Sequence, residues 1–501
     1  MQTIKMTGYY ASVRVIAVLL GIFAASQSAL ADSIFSFTAD DLVISTVSSY
    51  NGGGLDSASP IVLRQFQLNT DGNVATAAGT LTLPQMNSGG NYAISGEYGS
   101  ASEGILQRSV DGKYLTIMGY GVNANDFNSA SLPTYGTAAL GQTTSLTAAN
   151  QTGNPFTTVP RVVALIGANG SVDTSTALTG VYNQNNPRSV ATVDGSSFYI
   201  SGQASSKTDP SQGVYYATRG ASTATMIDNS TDTRVVSIIN NGSGNTLYVS
   251  RDFNPPSGGT QNFTNVSTLT NANGGLPTSA AGLITTHITP PATSLSSKGN
   301  NGSINLTADL ANGVNNARVG SFVYLSPEQY FMASSTVMYV ADSGQPKNGS
   351  AGAAALGEGG LQKWVLTNGV WKLDYNLVNG LGLVNNATAN STTPGAPGVT
   401  GLLALTGKVV NGQVQLFATS YGLNELSQSY LYEITDNLSA TSLSQVSNEG
   451  FTVLYTDPTG QMSIRGVSLA PVPEPEILAL LIAGLGLVGF SARRRNRNSI
   501  R

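Results

Sequence analysis

Short apolar strands separated by tight Asp-Gly or Asn-Gly turns recur along this chain, and this pattern restricts the fold more than any other feature. Four segments follow it, with turns at Asp111-Gly112, Asp194-Gly195, Asn241-Gly242 and Asn411-Gly412. These dipeptides tolerate the positive φ angles that two-residue hairpin loops require, so each segment predicts a β-hairpin. A fifth segment, GSFVYLSPEQYFMAS, is interpreted as a variant with Ser326-Pro327-Glu328 in the turn.

A second pair of strands follows several of these hairpins. GVYYATRG and ATMID come after Asp194, LQKWVLTNGVWKLDYNL comes after Pro327, and SYLYEITDN comes after Asn411. Repeated units of four antiparallel strands are typical of β-propellers. Six candidate units are present, so the sequence predicts an all-β fold, a β-propeller of six or seven four-stranded blades. The alternatives are a β-helix, which would show shorter and more regular rungs, and a β-sandwich, which would not explain the recurrence.

The two ends of the repeat region each contain a strand that lacks a hairpin partner. Residues 463–471 are predicted to form an innermost strand with no strand after it, and residues 40–49 a second strand with no strand before it. Unpaired edges are a liability in a large sheet protein. We therefore expect these N- and C-terminal strands to close the ring in one blade, with residues 466–469 hydrogen-bonded to residues 42–45.

The first 31 residues have the organisation of a secretory signal peptide. Lys5 and Arg14 give a weakly basic start, and the apolar stretch at residues 15–25 is too short to span a membrane. Ala29 and Ala31 form an A-x-A cleavage site, so the mature chain is expected to begin at Asp32. This pattern is that of an exported bacterial protein.

The C-terminal stretch PVPEPEILALLIAGLGLVGFSARRR looks like nothing else in the chain. Val472-Pro473-Glu474-Pro475 should stay extended, because proline disfavours a helix around it. Residues 477–492 predict a short transmembrane helix, and the positive-inside rule holds the following Arg493, Arg494 and Arg495 on the cytoplasmic side. An accessible motif, a short apolar helix and a basic stop together are typical of a removable membrane anchor.

This tail, residues 472–501, resembles the PEP-CTERM sorting signal of Gram-negative bacteria, through the Pro-Glu-Pro motif, the apolar helix and the three arginines. The resemblance implies that exosortase, a membrane-embedded transpeptidase-like enzyme, processes the chain. It also implies a precursor anchored in the inner membrane and a product at the cell surface or outside the cell. Proteins of this group commonly come from species that make exopolysaccharide or biofilm. A plain C-terminal membrane anchor is the alternative and predicts nearly the same location.

The body between these ends, residues 32–471, is predicted to be one β-propeller domain. The chain as a whole is 41% hydrophobic, which is enough for a core, although charged residues make up only 10% of it. Cysteine is absent, which excludes disulfides, a thiol nucleophile and Cys-ligated metal sites. Seven of the 23 basic residues but only two of the 27 acidic ones lie in the end segments. The body is therefore acidic, and no nucleic-acid partner is expected.

A search for catalytic or metal-binding residues finds few candidates. His287 is the single histidine and would have to act alone, so a solvent-facing histidine is favoured. Asp228, Ser230 and Asp232 alternate as calcium ligands do, but the EF-hand glycine and closing glutamate are missing, which favours a surface turn. No catalytic residue, metal site or cofactor is predicted.

Tyrosine is the abundant large aromatic residue, with 21 copies against two tryptophans. Tyrosines in or beside predicted strands are expected to pack the blades, or alternatively to form a sugar-stacking face at the propeller mouth. They are Tyr120, Tyr199, Tyr215, Tyr216, Tyr248, Tyr339 and Tyr421. Residues 123–160 and 255–316 are predicted to be long polar surface loops, which often carry function.

These observations predict an exported cell-envelope or extracellular-matrix protein that binds polysaccharide or another surface component, with exosortase as its processing partner. Two alternatives stay open. An exported propeller enzyme, such as a glycan lyase or hydrolase, would place two facing carboxylates roughly 5–10 Å apart at the channel mouth. A structural surface-coat protein is the other.

Overall fold

The computed structural model describes residues 35–473 except 52–53, 101, 130–134, 136–138, 147–156, 207, 231, 241, 252–264, 290–302, 306–321, 325, 345–358, 384–397 and 424. Strands dominate this part of the chain, together with one short helix, α1 (Ala124–Ser129), and a 3-10 turn at Leu443–Val446.

In chain order, the strands of the described residues are β1 (Leu42–Ser48), β2 (Ala58–Pro60), β3 (Val62–Leu68), β4 (Ala75–Thr82), β5 (Ser95–Glu97), β6 (Gln107–Arg108), β7 (Tyr114–Tyr120), β8 (Arg161–Gly167), β9 (Val172–Leu178), β10 (Pro187–Ala191), β11 (Ser197–Gly202), β12 (Gly213–Thr218), β13 (Thr225–Asp228), β14 (Thr233–Asn240), β15 (Asn245–Arg251), β16 (Asn265–Thr270), β17 (Ile284–Thr289), β18 (Ser303–Asn305), β19 (Phe322–Tyr324), β20 (Pro327–Ser334), β21 (Val337–Asp342), β22 (Gly360–Thr367), β23 (Val370–Leu377), β24 (Val399–Val410), β25 (Gln413–Gly422), β26 (Tyr430–Asn437), β27 (Thr452–Thr456) and β28 (Met462–Leu469).

The described strands form six four-stranded antiparallel blades in a propeller ring, within the predicted range of six or seven. From the channel outward, the blades are β28-β1-β3-β4 (blade 1), β6-β7-β8-β9 (blade 2), β10 to β13 (blade 3), β14 to β17 (blade 4), β20 to β23 (blade 5) and β24 to β27 (blade 6). Blade 2 also carries β2 and β5, and β18 pairs with β19 apart from the blades. Each innermost strand contacts the next one around the ring, including β28 with β6.

The ring closes in blade 1 as predicted. Strand β28 pairs with β1 in the register Leu42 to Leu469 and Ile44 to Val467. The register shifts at Ser45, whose hydroxyl accepts a hydrogen bond from the Gly466 N–H at 2.8 Å and donates one to a carbonyl of the neighbouring blade 2 at 2.6 Å. The closing pair is therefore tied to the next blade as well.

The innermost strands run in one direction, which gives the ring two distinct faces. At the face where they begin, here called the start face, Arg188 near the start of β10 reaches Asp232 just before β14. At the opposite turn face, Asp111 after β6 donates its N–H to the Val193 carbonyl after β10. The hairpin loops of the innermost strands gather on the turn face.

The predicted hairpins are present with one exception, but the positive φ angles of a two-residue loop are described at both residues only for Asn411-Gly412, because the φ angles of Asp111 and Asp194 are not positive. Asn411 and Gly412 have φ angles of 52° and 78°, as a two-residue hairpin requires. The predicted turn at Ser326-Pro327-Glu328 is wrong, because Pro327 begins β20 and faces Asp342 of β21. Proline is tolerated at the first residue of a strand, where its missing N–H costs little. The turn of this hairpin follows Ser334 instead.

The predictions of two long surface loops are wrong for the described parts. Within residues 123–160, Leu140 and Val159 are buried against Tyr120 and α1. The guanidinium of Arg161 holds this segment through hydrogen bonds to the Thr143 hydroxyl and to four backbone carbonyls. Residues 255–316 contain β16 and β17, the outer strands of blade 4, together with β18. Strands on the outside of a blade can be polar because one face meets solvent.

Apolar side chains of neighbouring blades pack against each other around the ring. One cluster joins blades 5 and 6 through Trp364, Leu416 and Tyr432, and another joins blades 6 and 1 through Phe417 and Ile464. Further clusters join blade 2 to blade 3 and blade 3 to blade 4. Burial between blades therefore stabilises the ring, and polar groups are left to the channel and the outer strands.

Candidate functional site

Charged side chains that the sequence analysis did not single out gather at the start face of the channel. Arg188, Arg234 and Glu328 are each the second residue of an innermost strand, in β10, β14 and β20. Arg465 projects from the innermost strand β28 of the closing blade. Their side chains are all buried. An alignment of the repeat units would have placed the first three at one equivalent position, which is the sequence signal that was missed.

One half of this cluster is a closed network of ion pairs. Asp232 lies between two arginines, with Oδ1 2.5 Å from Arg188 Nη1 and 3.2 Å from Arg234 Nε. Arg234 Nη1 also lies 3.5 Å from Glu328 Oε1, which accepts a hydrogen bond from the Ser343 hydroxyl at 2.9 Å. Burial opposes the charge of Arg234, but Asp232 and Glu328 outweigh it and raise the pKa of the guanidinium. These arginines therefore have their counter-ions within the protein.

The other half centres on Arg465, whose side chain is not paired in this way. The residue is 2% exposed, and its Nη2 makes one long hydrogen bond, 3.4 Å, to the carbonyl oxygen of Glu97. Nε and Nη1 are buried and have no hydrogen-bond partner among the described residues. Burial lowers the pKa of the guanidinium, against the attraction of Glu103 and Glu97. A buried cation with two unused donor groups is costly.

Glu97 and Glu103 form a carboxyl pair beside Arg465. Glu103 Oε1 accepts the backbone N–H of Glu97 at 2.5 Å, and its Oε2 accepts the Tyr120 hydroxyl at 2.9 Å. The backbone N–H of Gly141 donates to Glu97 Oε2. Burial, with the neighbouring Glu103, raises the pKa of Glu97 to about 8, and burial also raises the pKa of Glu103. Glu97 is therefore largely uncharged at neutral pH.

Arg465 lies on the wall of a pocket between blades 1 and 6 and a loop of blade 2. The pocket contains about 350 Å³ of empty space, its solvent-facing part included. Hydroxyl and amide side chains prevail on its wall, together with one aromatic residue and one further charge. Its polar lining includes Ser420, Tyr421, Glu425, Ser427, Gln428 and Ser463. On its other side, Arg465 borders a narrower cleft next to Glu103 and Ser45.

The candidate ligands from the sequence do not form a metal site. His287 lies exposed on β17, the outermost strand of blade 4, with Nδ1 2.9 Å from the Ser267 hydroxyl, so the solvent-facing interpretation is confirmed. Asp228 pairs with Arg251, and Asp232 pairs with arginines of the channel. Within the described residues, no group of three His, Cys, Asp or Glu residues could hold a metal ion.

Most of the seven tyrosines named from the sequence pack within or between blades. Tyr199, Tyr215, Tyr248 and Tyr339 are buried in this way, and Tyr216 is half-buried against the ring of Tyr199. Two others reach the start face. Tyr421 lines the pocket, and the Tyr120 hydroxyl donates to Glu103. Blade packing therefore explains five of the seven.

The C-terminal tail leaves the propeller at the turn face. The Val472 N–H donates to the Gly112 carbonyl at 2.8 Å, and Val472 is 41% exposed. The other predicted signal residues lie outside the described residues, apart from Pro473. They are Ala29, Ala31, Asp32, Glu474, Pro475, Arg493, Arg494 and Arg495, together with the predicted helix at residues 477–492. In the part of the chain that the structure describes, no helix is both long and apolar enough to cross a membrane.

The fold and the site define a six-bladed β-propeller with a polar pocket at one end of its channel and a C-terminal tail at the other. Residues 471–495 match the family model of the PEP-CTERM protein-sorting motif. The resemblance predicted from the sequence is thus confirmed: the chain carries this motif, which implies export, a membrane-anchored precursor and processing by exosortase. No curated protein matches the sequence.

Solved structures of several kinds resemble this chain at low similarity. A Bacteroides fragilis protein described provisionally as a 6-phosphogluconolactonase is 11% identical, with 83% of this chain and 82% of that one covered and a TM-score of 0.34. The endosialidase of phage phi92 is 10% identical, with coverage of 87% and 70% and a TM-score of 0.30. A Bombyx mori GH32 β-fructofuranosidase mutant in complex with sucrose is 12% identical, with coverage of 68% and 65% and a TM-score of 0.28. None of these similarities identifies a function for this chain.

Proposed function

We propose that this protein is an exported cell-envelope or extracellular-matrix protein that binds polysaccharide in the pocket beside Arg465. The pocket itself is the observation that carries this proposal. Its wall offers hydroxyl, amide and guanidinium groups around one tyrosine ring. Sugars present many hydroxyl groups, so a wall of this composition matches them in hydrogen bonding.

The proposed course of the chain runs from export to surface display. Cleavage after Ala31 would release a mature chain that begins at Asp32, and residues 32–471 would form the propeller domain. Residues 472–501 would hold the precursor in the inner membrane until exosortase acts at Val472-Pro473-Glu474-Pro475. The product would then stay at the cell surface or in the extracellular matrix.

The pocket and the C-terminal tail lie at opposite ends of the channel. This arrangement supports a protein that is attached through its tail and presents the pocket on the far side. The tail starts at Val472, which is bonded to Gly112 on the turn face. Arg465 and the pocket lie towards the start face, at the opposite end of the channel. A protein held through its tail would therefore direct the pocket outward, where an extracellular polysaccharide is accessible.

Binding to exopolysaccharide purified from the producing strain tests the proposal. Isothermal titration should show saturable binding to residues 32–471. Ser427→Trp, at the half-buried rim of the pocket, should weaken binding at least tenfold because the indole fills the space that a sugar would occupy. His287→Trp, on the exposed outer strand β17, is the matched control and should leave the affinity unchanged. Equal affinities for the two variants would refute the assignment of this pocket.

Hydrolysis of a glycan is the second candidate, and the Glu97–Glu103 pair favours it. Glycoside hydrolases use a pair of carboxyl groups of which one is protonated, and the pKa of Glu97 is raised to about 8 beside Glu103, whose own pKa is also raised by burial. The hydrogen bonds that Tyr120 and Gly141 donate to these carboxyl groups favour a structural role instead. If the wild-type protein releases reducing ends from a glycan and Glu97→Gln does not, the protein is a glycan hydrolase.

A further inference from the structure

The guanidinium of Arg465 has an unmet need for an anionic partner. Among the buried arginines of the channel, Arg188 and Arg234 share Asp232 as a counter-ion. Arg465 has no ion pair of this kind among the described residues, and two of its three nitrogens lack acceptors. A buried charge without a partner costs several kcal/mol, so it persists in folded proteins mainly where a ligand completes it.

We propose that Arg465 binds the carboxylate of an acidic saccharide, so that the pocket selects uronic-acid-type sugars over neutral ones. This inference rests on the proposed polysaccharide binding and names the class of ligand. Guanidinium groups recognise carboxylates through two parallel N–H donors, which adds geometry to charge. Nη1, which has no partner among the described residues, and Nη2, whose hydrogen bond to the Glu97 carbonyl is long, share one edge of the guanidinium and form such a pair of parallel donors. Arg465 lines the pocket.

The charges around Arg465 leave room for one more anion. Glu97 is mostly protonated at neutral pH, because burial raises its pKa to about 8, and the pKa of Glu103 is raised by burial as well. Glu425 is half-buried at the rim and attracts Arg465. A ligand carboxylate would therefore meet less repulsion from the protonated Glu97 than from an ionised one.

The remaining wall groups would contact the sugar around this carboxylate. Ser420, Ser427 and Gln428 present hydroxyl and amide groups along the pocket. A pyranuronate carries its carboxylate on C5, and hydroxyl groups lie on the ring carbons that take no part in glycosidic bonds. One anchored carboxylate therefore places several ring hydroxyls within reach of such a wall.

The experiment compares two probes with the same sugar chain, tetragalacturonate and its fully methyl-esterified form, in which uncharged methyl esters replace the carboxylates. Isothermal titration with residues 32–471 should show at least tenfold tighter binding of the acid. Arg465→Gln should remove this preference, and Arg465→Lys should recover part of it, since lysine keeps the charge but not the paired donors. Arg219→Gln is the matched control, because Arg219 is an exposed arginine of blade 3 that is bound to Asp173.

Thermal unfolding separates this role from a structural one. Because Arg465 is buried without its full set of partners, Arg465→Gln should leave the melting temperature unchanged or raise it, as expected when a binding residue is replaced. A marked fall in melting temperature would identify Arg465 as a structural residue and contradict the inference. The acid-against-ester comparison on the wild-type protein stands even if every Arg465 variant fails to fold.

The outcomes distinguish the two proposals. Equal binding of the acid and the ester would overturn the acidic-sugar inference but leave polysaccharide binding intact. Binding of neither probe, together with no binding of the exopolysaccharide, would overturn both. Retention of the acid preference by Arg465→Gln would show that another group selects the charge.

Discussion

The ammonium nitrogen of Lys363 lies 2.9 Å from Asp436 Oδ2, and both side chains are fully shielded from solvent. Lys363 belongs to β22 of blade 5 and Asp436 is a buried residue near the end of β26 in blade 6, so the pair crosses a blade boundary. Nζ also donates to the Tyr375 hydroxyl and to the Asn437 carbonyl, each at 2.8 Å. All three ammonium hydrogens therefore have acceptors, in contrast to the guanidinium of Arg465.

Lys363→Met should lower the free energy of unfolding by about 3–5 kcal/mol, because Asp436 would remain buried without its counter-ion. Urea denaturation followed by tryptophan fluorescence measures this, since Trp364 is buried in the same core. Lys372→Met changes an exposed lysine of β23 in the same way and should shift stability by no more than about 0.5 kcal/mol. Similar values for the two variants would show that the buried pair contributes little.

Ring closure can be tested at one glycine. A Cβ at Gly466 would lie 2.2 Å from the Leu106 backbone nitrogen and 2.6 Å from the Gly104 carbonyl oxygen, so blades 1 and 2 would have to separate. Gly466→Ala should therefore destabilise the fold by about 1–3 kcal/mol or more. Gly54→Ala is the control, because nothing lies within 4 Å of the added carbon. Equal melting temperatures for both variants would contradict the closure geometry.

Stability should fall as pH rises from about 5 to 8. The folded pKa of Glu97 is raised from 4.5 to about 8, so within this window the unfolded chain binds fewer protons than the folded one. Linkage then requires the free energy of unfolding to decrease with pH. Denaturation at several pH values should show that the free energy of unfolding falls less steeply with pH in Glu97→Gln than in the wild type. Asp126→Asn, on the exposed side of α1, is the control and should keep the wild-type dependence on pH. The same dependence in Glu97→Gln as in the wild type would contradict the raised pKa of Glu97.

In a host that contains exosortase, we expect the C-terminal tail to be cleaved. Intact-mass measurement of the surface protein should show that the arginine-rich end is missing. Glu474→Ala should leave the full-length anchored precursor, because it changes the Pro-Glu-Pro motif that the enzyme is expected to recognise. Glu476→Ala lies just outside this motif and should be processed normally. A surface protein whose mass still includes Arg501 would indicate a permanent anchor.

Part of the fold was predictable because its determinants are local. Asn411 and Gly412 adopt positive φ angles, which asparagine tolerates and glycine adopts freely because it has no side chain, and a hairpin needs only its own two strands. The closing pair of Ile44 and Val467 was also predicted, since each strand lacked a neighbour in the sequence. Pro327 was assigned to a turn because proline is common in turns, and only its pairing with Asp342 shows that it begins an innermost strand.

The sequence by itself determined the all-β repeat, the strands that close the ring and the sorting motif, because alternation, turn dipeptides and a contiguous tail are properties of short segments. Only the tertiary structure decided the site. Arg234 and Arg465 are distant in the sequence, and they share one end of the channel because the ring aligns the starts of its innermost strands. Only the structure shows that Arg234 forms ion pairs, whereas Nε and Nη1 of Arg465 have no hydrogen-bond partner in the described part of the chain. That difference depends on burial and on distances between blades, which no single segment encodes.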